Sequence, residues 1–225
     1  MRSRIAVITI GQSPRSDMTN DLHYLLAENI DLIEYGALDH FTLDQVLTRF
    51  VPQPGHELLV TRMQDGTQVK LDGSQVPHLV QNCINNAEAE GADGIIILCT
   101  GTFQELNSRV PMIIPQPVFH AVVRHLARGK KVGVMAPDPS QIDQVKGWWL
   151  DSGIDSEIVS ASPYEDMESI RSAALEMQRM DVSLICLDCM GYSLQMKQVV
   201  AQLTGKPVIL PRSLVARIAN EMFGD

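Results

Sequence analysis

The stretch IIILCTGT at residues 95–102 decides the fold, together with a second stretch, LICLDCMGY at residues 184–192, that resembles it. Each begins with a short apolar run of the kind found in buried parallel strands. Each then reaches a Cys-x-Gly sequence, at Cys99 and at Cys189, where the strand should give way to a loop. Ligands of open α/β sheets bind at that end of the strands. The sequence therefore predicts a thiol at the mouth of each of two related strands.

The same order of elements surrounds both stretches. Residues 4–10 and 131–136 are similar apolar runs, and each is followed by the pattern helix, strand, helix and Cys strand. Strands that alternate with helices predict βαβ units and a parallel sheet. A hairpin signal at Asp65-Gly66 accounts for much of the extra length of the first half. In the second half, a helix is predicted over residues 164–180.

We therefore predict an α/β fold of two similar three-layer lobes with parallel-type sheets and a cleft between the lobes. The first lobe is expected to comprise residues 1–117 and 211–225, and the second residues 118–210. Facing lobes would direct Cys99 and Cys189 toward each other across the cleft.

Composition and charge exclude several classes of function. The chain has 225 residues and a formal net charge of −9, with no run of Lys and Arg, which argues against binding to nucleic acids or to an anionic membrane surface. No apolar run approaches the roughly 18 residues of a transmembrane helix, and the N-terminus does not resemble a signal peptide. We expect a cytoplasmic protein with four free thiols. Without a Walker loop or a G-x-G-x-x-G motif, no nucleotide cofactor is predicted.

The two strand-end thiols are the main chemical signal. Cys99 and Cys189 could remove a proton from one side of a bound carbon and return one on the other, because a thiol with a pKa of about 8.5 can be tuned for proton transfer. The alternative is that each is a small buried hydrophobic residue. Cys186 and Cys189 also form a C-x-x-C pair, but no second pair or His cluster completes a metal site. We expect no metal, and we interpret Cys83 and Cys186 as core residues.

The sequence GQSPR at residues 11–15 follows the first strand and is a candidate anion site. Ser13 is expected to cap a helix whose first residue is Pro14, with backbone N–H groups available for a carboxylate or phosphate. The alternative is an ordinary N-cap followed by a solvated Arg15.

Other polar residues near the strand ends could hold a substrate. Thr100 and Thr102 could donate to an oxyanion or simply cap their loop, and Arg212 could clamp a carboxylate or lie on the surface. The predicted substrate-binding set is Gly11, Gln12, Ser13, Arg15, Thr100, Gly101, Thr102, Gly191, Tyr192 and Arg212.

These motifs resemble those of the AroM family. The likeness rests on TIGQSPR at residues 9–15, CTGT at residues 99–102, LDCMG at residues 187–191 and the ending at residues 207–223, and it covers nearly the whole chain. It implies a fold and no particular reaction.

More distantly, the two Cys-ended strands resemble the aspartate/glutamate/hydantoin racemase superfamily. That resemblance implies a cofactor-independent enzyme with Cys99 and Cys189 as its two cysteines between two α/β lobes, although relatives such as arylmalonate decarboxylases and maleate isomerases rely chiefly on one. The loop at residues 11–15 departs from the superfamily's usual Asn- or Asp-Ser type. Racemases commonly place Asn-Thr or Thr-His beside their cysteines, whereas here Cys189 is followed by Met190.

The leading hypothesis is two-cysteine proton transfer on a small carboxylate metabolite by a cofactor-independent isomerase, a racemase or a related decarboxylase. The alternative is a metabolite-binding or regulatory protein on the same fold, without turnover. The oligomeric state is left open, with a homodimer as one option.

Overall fold

A computed structural model describes residues 2–103 and 106–225 of the protein. Within those residues there are ten strands and eight α-helices. The strands are β1 (Ser3–Thr9), β2 (Ile30–Gly36), β3 (Leu58–Arg62), β4 (Gln68–Asp72), β5 (Gly94–Ile97), β6 (Met112–Ile113), β7 (Val132–Ala136), β8 (Ser156–Ser160), β9 (Ile185–Leu187) and β10 (Val208–Ile209). The helices are α1 (Ser16–Leu25), α2 (Leu43–Arg49), α3 (Pro77–Ala89), α4 (Pro115–Ala127), α5 (Ile142–Asp151), α6 (Met167–Gln178), α7 (Leu194–Thr204) and α8 (Pro211–Phe223).

Two four-stranded sheets have the same strand order. The first is β2-β1-β5-β6 and the second is β8-β7-β9-β10, and all pairings in both are parallel. The two Cys strands, β5 and β9, therefore occupy the same position in their respective sheets. This arrangement confirms the predicted α/β fold with two similar parallel sheets.

The chain divides into two compact units, here called unit 1 (residues 1–115 and 215–225) and unit 2 (residues 116–214). The core of unit 1 is built on β1 and β5, in which Ile5, Ile8 and Ile96 are fully buried. In unit 2, every residue of β7 is buried. Strands covered on both faces explain the continuous apolar runs in the sequence.

Among the described residues, unit 1 has helix α2 and strands β3 and β4 between β2 and α3, and these have no counterpart between β8 and α6 of unit 2. Strands β3 and β4 pair antiparallel, with Leu58 opposite Asp72 and Arg62 opposite Gln68. The connection includes Gly66 with φ of 90°, a conformation that glycine adopts readily. The predicted hairpin is confirmed, and we call it the β3–β4 hairpin.

The end of the chain completes unit 1. Asn220 accepts from the backbone N–H of Ala27 and donates to the carbonyl of Leu25, both at 2.9 Å. The Phe223 ring packs on Gly94 so closely that an added Cβ there would lie 2.5 Å from the ring. Residues 215–225 thus belong to the same unit as β1, which begins at Ser3.

Two predicted helix starts are wrong. Helix α1 begins at Ser16, with Arg15 at the N-cap position, because Ser13 donates both its N–H and its O–H to the Asp39 carboxylate at 2.7 Å. Helix α6 begins at Met167, because Asp166 provides the cap. Residue 164 therefore lies in a loop and not in a helix.

No helix formed by residues 2–103 or 106–225 is long and apolar enough to cross a membrane.

Candidate active site

The two candidate thiols occupy the same local structure. Cys99 lies two residues beyond the end of β5, and Cys189 lies two residues beyond the end of β9. The Cys99 Sγ atom accepts from the backbone N–H of Gly101 at 3.3 Å, and the Cys189 Sγ atom accepts from that of Gly191 at 3.3 Å. We call residues 99–102 the Cys99 loop and residues 189–192 the Cys189 loop. The Cys-x-Gly signal in the sequence thus corresponds to one recurring hydrogen-bond geometry.

An N–H group directed at sulfur stabilises the thiolate more than the thiol, since the negative sulfur is the stronger acceptor. The thiolate is the form that acts as a base or nucleophile. Cys99 is partly exposed, whereas Cys189 is 9% exposed. Both loops can therefore support acid–base chemistry at sulfur.

The β3–β4 hairpin covers the Cys99 loop. A Cβ atom added to Gly101 would lie 2.7 Å from Cδ2 of Leu59, in β3. Thr102 donates its hydroxyl to the carboxylate of Glu57, the residue before β3. Glu57 was not predicted from the sequence, since only the fold brings it to Thr102.

In unit 2, a tyrosine covers the Cys189 loop. The Tyr164 hydroxyl lies 3.9 Å from the Cys189 Sγ atom. A Cβ atom added to Gly191 would lie 2.7 Å from that hydroxyl and 2.8 Å from the ring. Tyr164 was also missed, because the sequence placed it in a helix.

A buried hydrogen bond holds the residue next to Cys189. The Asp188 carboxylate accepts from the indole Nε1–H of Trp149 at 2.7 Å, and both side chains are buried. The Trp149 ring also packs on His120, with ring centroids 4.1 Å apart. Burial lowers the pKa of His120 to about 4, so this imidazole is neutral near pH 7. Asp188 is thus fixed by a partner 39 positions away in the sequence.

The loop at residues 11–15 does not offer the predicted free N–H groups. The N–H of Gly11 donates to Thr9 Oγ1 and that of Gln12 to the Arg62 carbonyl. The N–H groups of Ser13 and Arg15 donate to the carboxylates of Asp39 and Glu34. Because every N–H in this loop already has a partner, that part of the prediction is wrong.

The Arg15 side chain is held inside unit 1. It is 3% exposed and makes a two-point ion pair with Asp17, with both N···O distances 2.8 Å. Its remaining amino group donates to Thr9 and to Thr61, the latter in β3. A substrate carboxylate would have to share this guanidinium with Asp17, so the binding role of Arg15 stays a prediction.

Two further predicted residues are buried in unit 2. Arg212 is fully buried and donates from Nε and Nη2 to the Met190 carbonyl, at 3.0 and 2.6 Å. The Tyr192 hydroxyl donates to the Ala161 carbonyl at 2.6 Å. Burial, with the nearby Cys189 and Asp188, raises the pKa of Tyr192 well above its ordinary value. Both residues fix the Cys189 loop from within, and their contact with a substrate stays a prediction.

The other two cysteines are core residues, as predicted. Burial raises the pKa of Cys83 to about 11, and burial with the Asp188 charge raises that of Cys186 well above its usual value. No three His, Cys, Asp or Glu side chains within the described part of the chain are grouped to hold a metal ion.

A family model described as AroM protein matches residues 5–223. No curated protein matches the chain in sequence. Among solved structures, the maleate isomerase Iso from Pseudomonas putida S16 superposes with a TM-score of 0.67 and 14% identity, covering 99% of this chain and 93% of that one. Picrophilus torridus aspartate racemase gives a TM-score of 0.62 and 15% identity, with 99% and 94% covered.

Glutamate racemase RacE1 from Bacillus anthracis has a TM-score of 0.62 and 13% identity, with 98% of this chain and 81% of that one covered. Identities this low show the fold and not the reaction. The match to the family model spans almost the whole chain. The chain therefore belongs to the AroM family, and its fold is that of the aspartate and glutamate racemases and maleate isomerase.

Proposed function

We propose that this protein is a cofactor-independent racemase or isomerase that moves a proton at a carbon next to a carboxylate, with Cys99 and Cys189 as acid and base. The observation that carries the proposal is the matched geometry of the two thiols, each beyond an equivalent strand and each accepting an N–H at 3.3 Å. Solved proteins of this fold are named for maleate, aspartate, glutamate and arylmalonate, which are all small carboxylates. Such a carboxylate is the proposed substrate class.

In the proposed reaction, one sulfur is a thiolate and the other a thiol. The thiolate takes the proton from carbon, and the electron pair left on carbon is delocalised into the adjacent carboxylate. The thiol on the other side gives its proton to that carbon, so the two sulfurs exchange protonation states. The Gly101 and Gly191 N–H groups stabilise whichever sulfur is negative. No redox partner is needed.

The residues proposed to contact the substrate divide into two groups. Thr100, Gly101 and Thr102 of the Cys99 loop, with Gly191 of the Cys189 loop, lie next to the thiols and are proposed to meet the substrate directly. For the second group we propose a supporting role, since their donors are bound to protein groups other than the two sulfurs. That group is Gly11, Gln12, Ser13, Arg15, Tyr192 and Arg212. The Thr102 hydroxyl, which donates to Glu57, would have to share that contact with the substrate.

Solvent exchange tests the proposal even when the identity of the product is not known. The protein is incubated in D₂O with aspartate, glutamate, maleate or phenylmalonate, and ¹H NMR follows the proton at the reacting carbon and any new species. We expect loss of that proton signal, or a new isomer, with at least one substrate. The Cys99→Ser/Cys189→Ser double variant should show neither, whereas Cys83→Ala, which changes a core thiol in α3, should retain the activity.

Two outcomes would redirect the proposal. Release of CO₂ from phenylmalonate, without exchange on the other carboxylates, would indicate a decarboxylase. If a carboxylate binds tightly by calorimetry while no exchange or product appears with reduced thiols, the protein is a metabolite-binding or regulatory protein and the racemase proposal fails.

A further inference from the structure

We infer that the Tyr164 hydroxyl is a hydrogen-bond donor to the Cys189 thiolate and sets Cys189 as the base of the resting protein. Tyr164 lies between β8 and α6, in a loop fixed at both sides. Its N–H donates to Ser162 Oγ at 3.1 Å, and the Asp166 side chain accepts from the Ser169 N–H at the start of α6. The hydroxyl lies 3.9 Å from the Cys189 Sγ atom. The Ala161 carbonyl, three residues before Tyr164, accepts from the Tyr192 hydroxyl of the Cys189 loop at 2.6 Å, so this segment is held to the Cys189 loop within unit 2.

The Cys189 loop is shaped to receive the tyrosine. A Cβ atom at position 191 would lie 2.7 Å from the Tyr164 hydroxyl and 2.8 Å from Cε1 and Cζ, closer than side chains can approach. Glycine is therefore required there for the ring to lie against the loop. The same Gly191 donates its N–H to the Cys189 Sγ atom at 3.3 Å. One residue thus supplies a donor to sulfur and the space for a second donor.

The direction of this hydrogen bond follows from ordinary acidities. A phenol titrates near 10 and a thiol near 8.5, so the proton stays on Tyr164 when Cys189 ionises. An O···S separation of 3.9 Å is long for a neutral thiol, and catalytic hydrogen bonds commonly shorten when the charged form appears. A negative sulfur that receives both the Gly191 N–H and the Tyr164 O–H is stabilised in the form that removes a proton.

The role as base during turnover rests on the proposed function, whereas the contact with the thiolate can be tested without turnover. The rate of alkylation of each cysteine by iodoacetamide is measured from pH 6 to 10 by peptide mass spectrometry. In Tyr164→Phe, which keeps the ring, the rate profile of Cys189 should move to higher pH by roughly one unit, as expected for loss of one hydrogen bond to a charged group.

Near pH 7 the Cys189 rate should fall roughly threefold, because fewer sulfurs are ionised but each thiolate is more nucleophilic. At high pH the rate should exceed that of the wild type. The Cys99 profile in the same molecules and the Cys189 profile in Tyr24→Phe, which alters an 82% exposed tyrosine, should not move. Gly191→Ala, which displaces the Tyr164 ring, should produce the same upward movement.

The inference is overturned if the alkylation profile of Cys189 is unchanged in Tyr164→Phe. It is also overturned if the Cys189 rate changes by the same factor at every pH, because that result indicates altered access of the reagent and not an altered thiol. A shifted profile in a protein that never exchanges a substrate proton leaves the contact established and removes the proposed function alone. If a substrate proton exchanges but the Cys189 profile does not move in Tyr164→Phe, the Tyr164 contact is refuted and the proposed function stands.

Discussion

The Cys99 and Cys189 loops share their thiol geometry and differ in what covers them. Each sulfur accepts an N–H from the glycine two residues later, at 3.3 Å in both loops. The glycine of the Cys99 loop is covered by Leu59 from an inserted hairpin, and that of the Cys189 loop by the ring of Tyr164. The two units therefore retain the bonding of the sulfur and vary the residue that packs against it.

The two units also differ in the contacts that hold the segments around these loops in place. In unit 1, the β3–β4 hairpin contacts the loop at residues 11–15 as well as the Cys99 loop, since the Arg62 carbonyl accepts from the Gln12 N–H and the N–H of Gln64 donates to the Gln12 side chain. In unit 2, support comes from within, through Trp149 to Asp188 and through Arg212 to Met190. Unit 1 thus depends on an added element, whereas unit 2 depends on buried polar side chains.

The largest expected effect comes from the thiols themselves. Cys99→Ser and Cys189→Ser should each lower kcat by roughly 10²- to 10⁴-fold in at least one direction, because each removes one acid–base group. Single-turnover NMR with each enantiomer or isomer measures this. If one variant keeps full activity in both directions, the sulfur it removes is not needed for proton transfer. The Cys99 and Cys189 loops would then not be chemically equivalent.

The hairpin contact with residues 11–15 gives the next largest effect. A Cβ atom on Gly11 would lie 2.3 Å from the Arg62 carbonyl oxygen and 2.4 Å from Thr61 Oγ1. Gly11→Ala should therefore lower the free energy of unfolding by about 2–3 kcal/mol, since the backbone of β3 must move.

Urea denaturation provides the measurement, with Gly147→Ala as the matched control. Gly147 lies inside α5 with open space around the added Cβ, so alanine there should stabilise the protein by about 0.5–1 kcal/mol. Equal effects at the two positions would show that the hairpin is not fixed against the loop.

The buried bond of unit 2 should contribute a comparable but smaller amount. Trp149→Phe keeps an aromatic ring and removes the Nε1–H that Asp188 accepts at 2.7 Å. We expect a loss of about 2 kcal/mol in unfolding free energy, because a buried carboxylate loses a donor. A double-mutant cycle with Asp188→Ala, which removes the acceptor that Asn would keep, isolates the interaction. A coupling energy near zero would contradict this support for the Cys189 loop.

The smallest expected effect concerns Asp72, the last residue of β4 in the β3–β4 hairpin. Burial by itself would raise the pKa of Asp72, but hydrogen bonds from Ser74 and His56 outweigh it and lower the pKa to about 2. Because this lies below the usual 3.8, Asp72 contributes stability that is complete above pH 4 and is lost as the pH falls toward 2.

In Asp72→Asn, the fall in unfolding free energy between pH 5 and pH 2 should be smaller than in the wild type by about 1 kcal/mol. The effect is limited because His56 is half-exposed, and solvent weakens its interaction with Asp72. Urea denaturation at a series of pH values between 5 and 2 provides the measurement. Asp151→Asn, an exposed carboxylate of α5, serves as the control and should leave the pH slope unchanged. If the unfolding free energy of Asp72→Asn depends on pH with the same slope as that of the wild type, Asp72 is not the source of the acid-dependent loss.

Local patterns were sufficient to predict the sheets. Apolar runs ending in Cys-x-Gly indicated two equivalent strands, and Asp65-Gly66 indicated the hairpin. The failures involve partners distant in sequence. Ser13 looks like a helix cap until Asp39, 26 residues later, binds both of its donors.

The missed site residues have the same explanation. Glu57 reaches Thr102 across 45 positions, and Tyr164 reaches Cys189 across 25. No motif in the sequence signals either pairing. A glycine at position 191 is compatible with many loops, and only the folded unit shows that its missing side chain makes room for a phenol.

The position of Asn220 and Phe223 has a consequence for synthesis on the ribosome. Unit 2 is continuous, so all of its residues have been translated once residue 214 is added. Unit 1 begins with β1 at Ser3 but lacks the partners of Leu25, Ala27 and Gly94 until residue 223 emerges. The nascent chain therefore carries an N-terminal half without these partners at a stage when the whole of unit 2 has already been translated. Ser3 of β1 likewise gains the Phe223 carbonyl, which accepts from its hydroxyl, only after unit 2 has been translated, so this part of unit 1 is completed late.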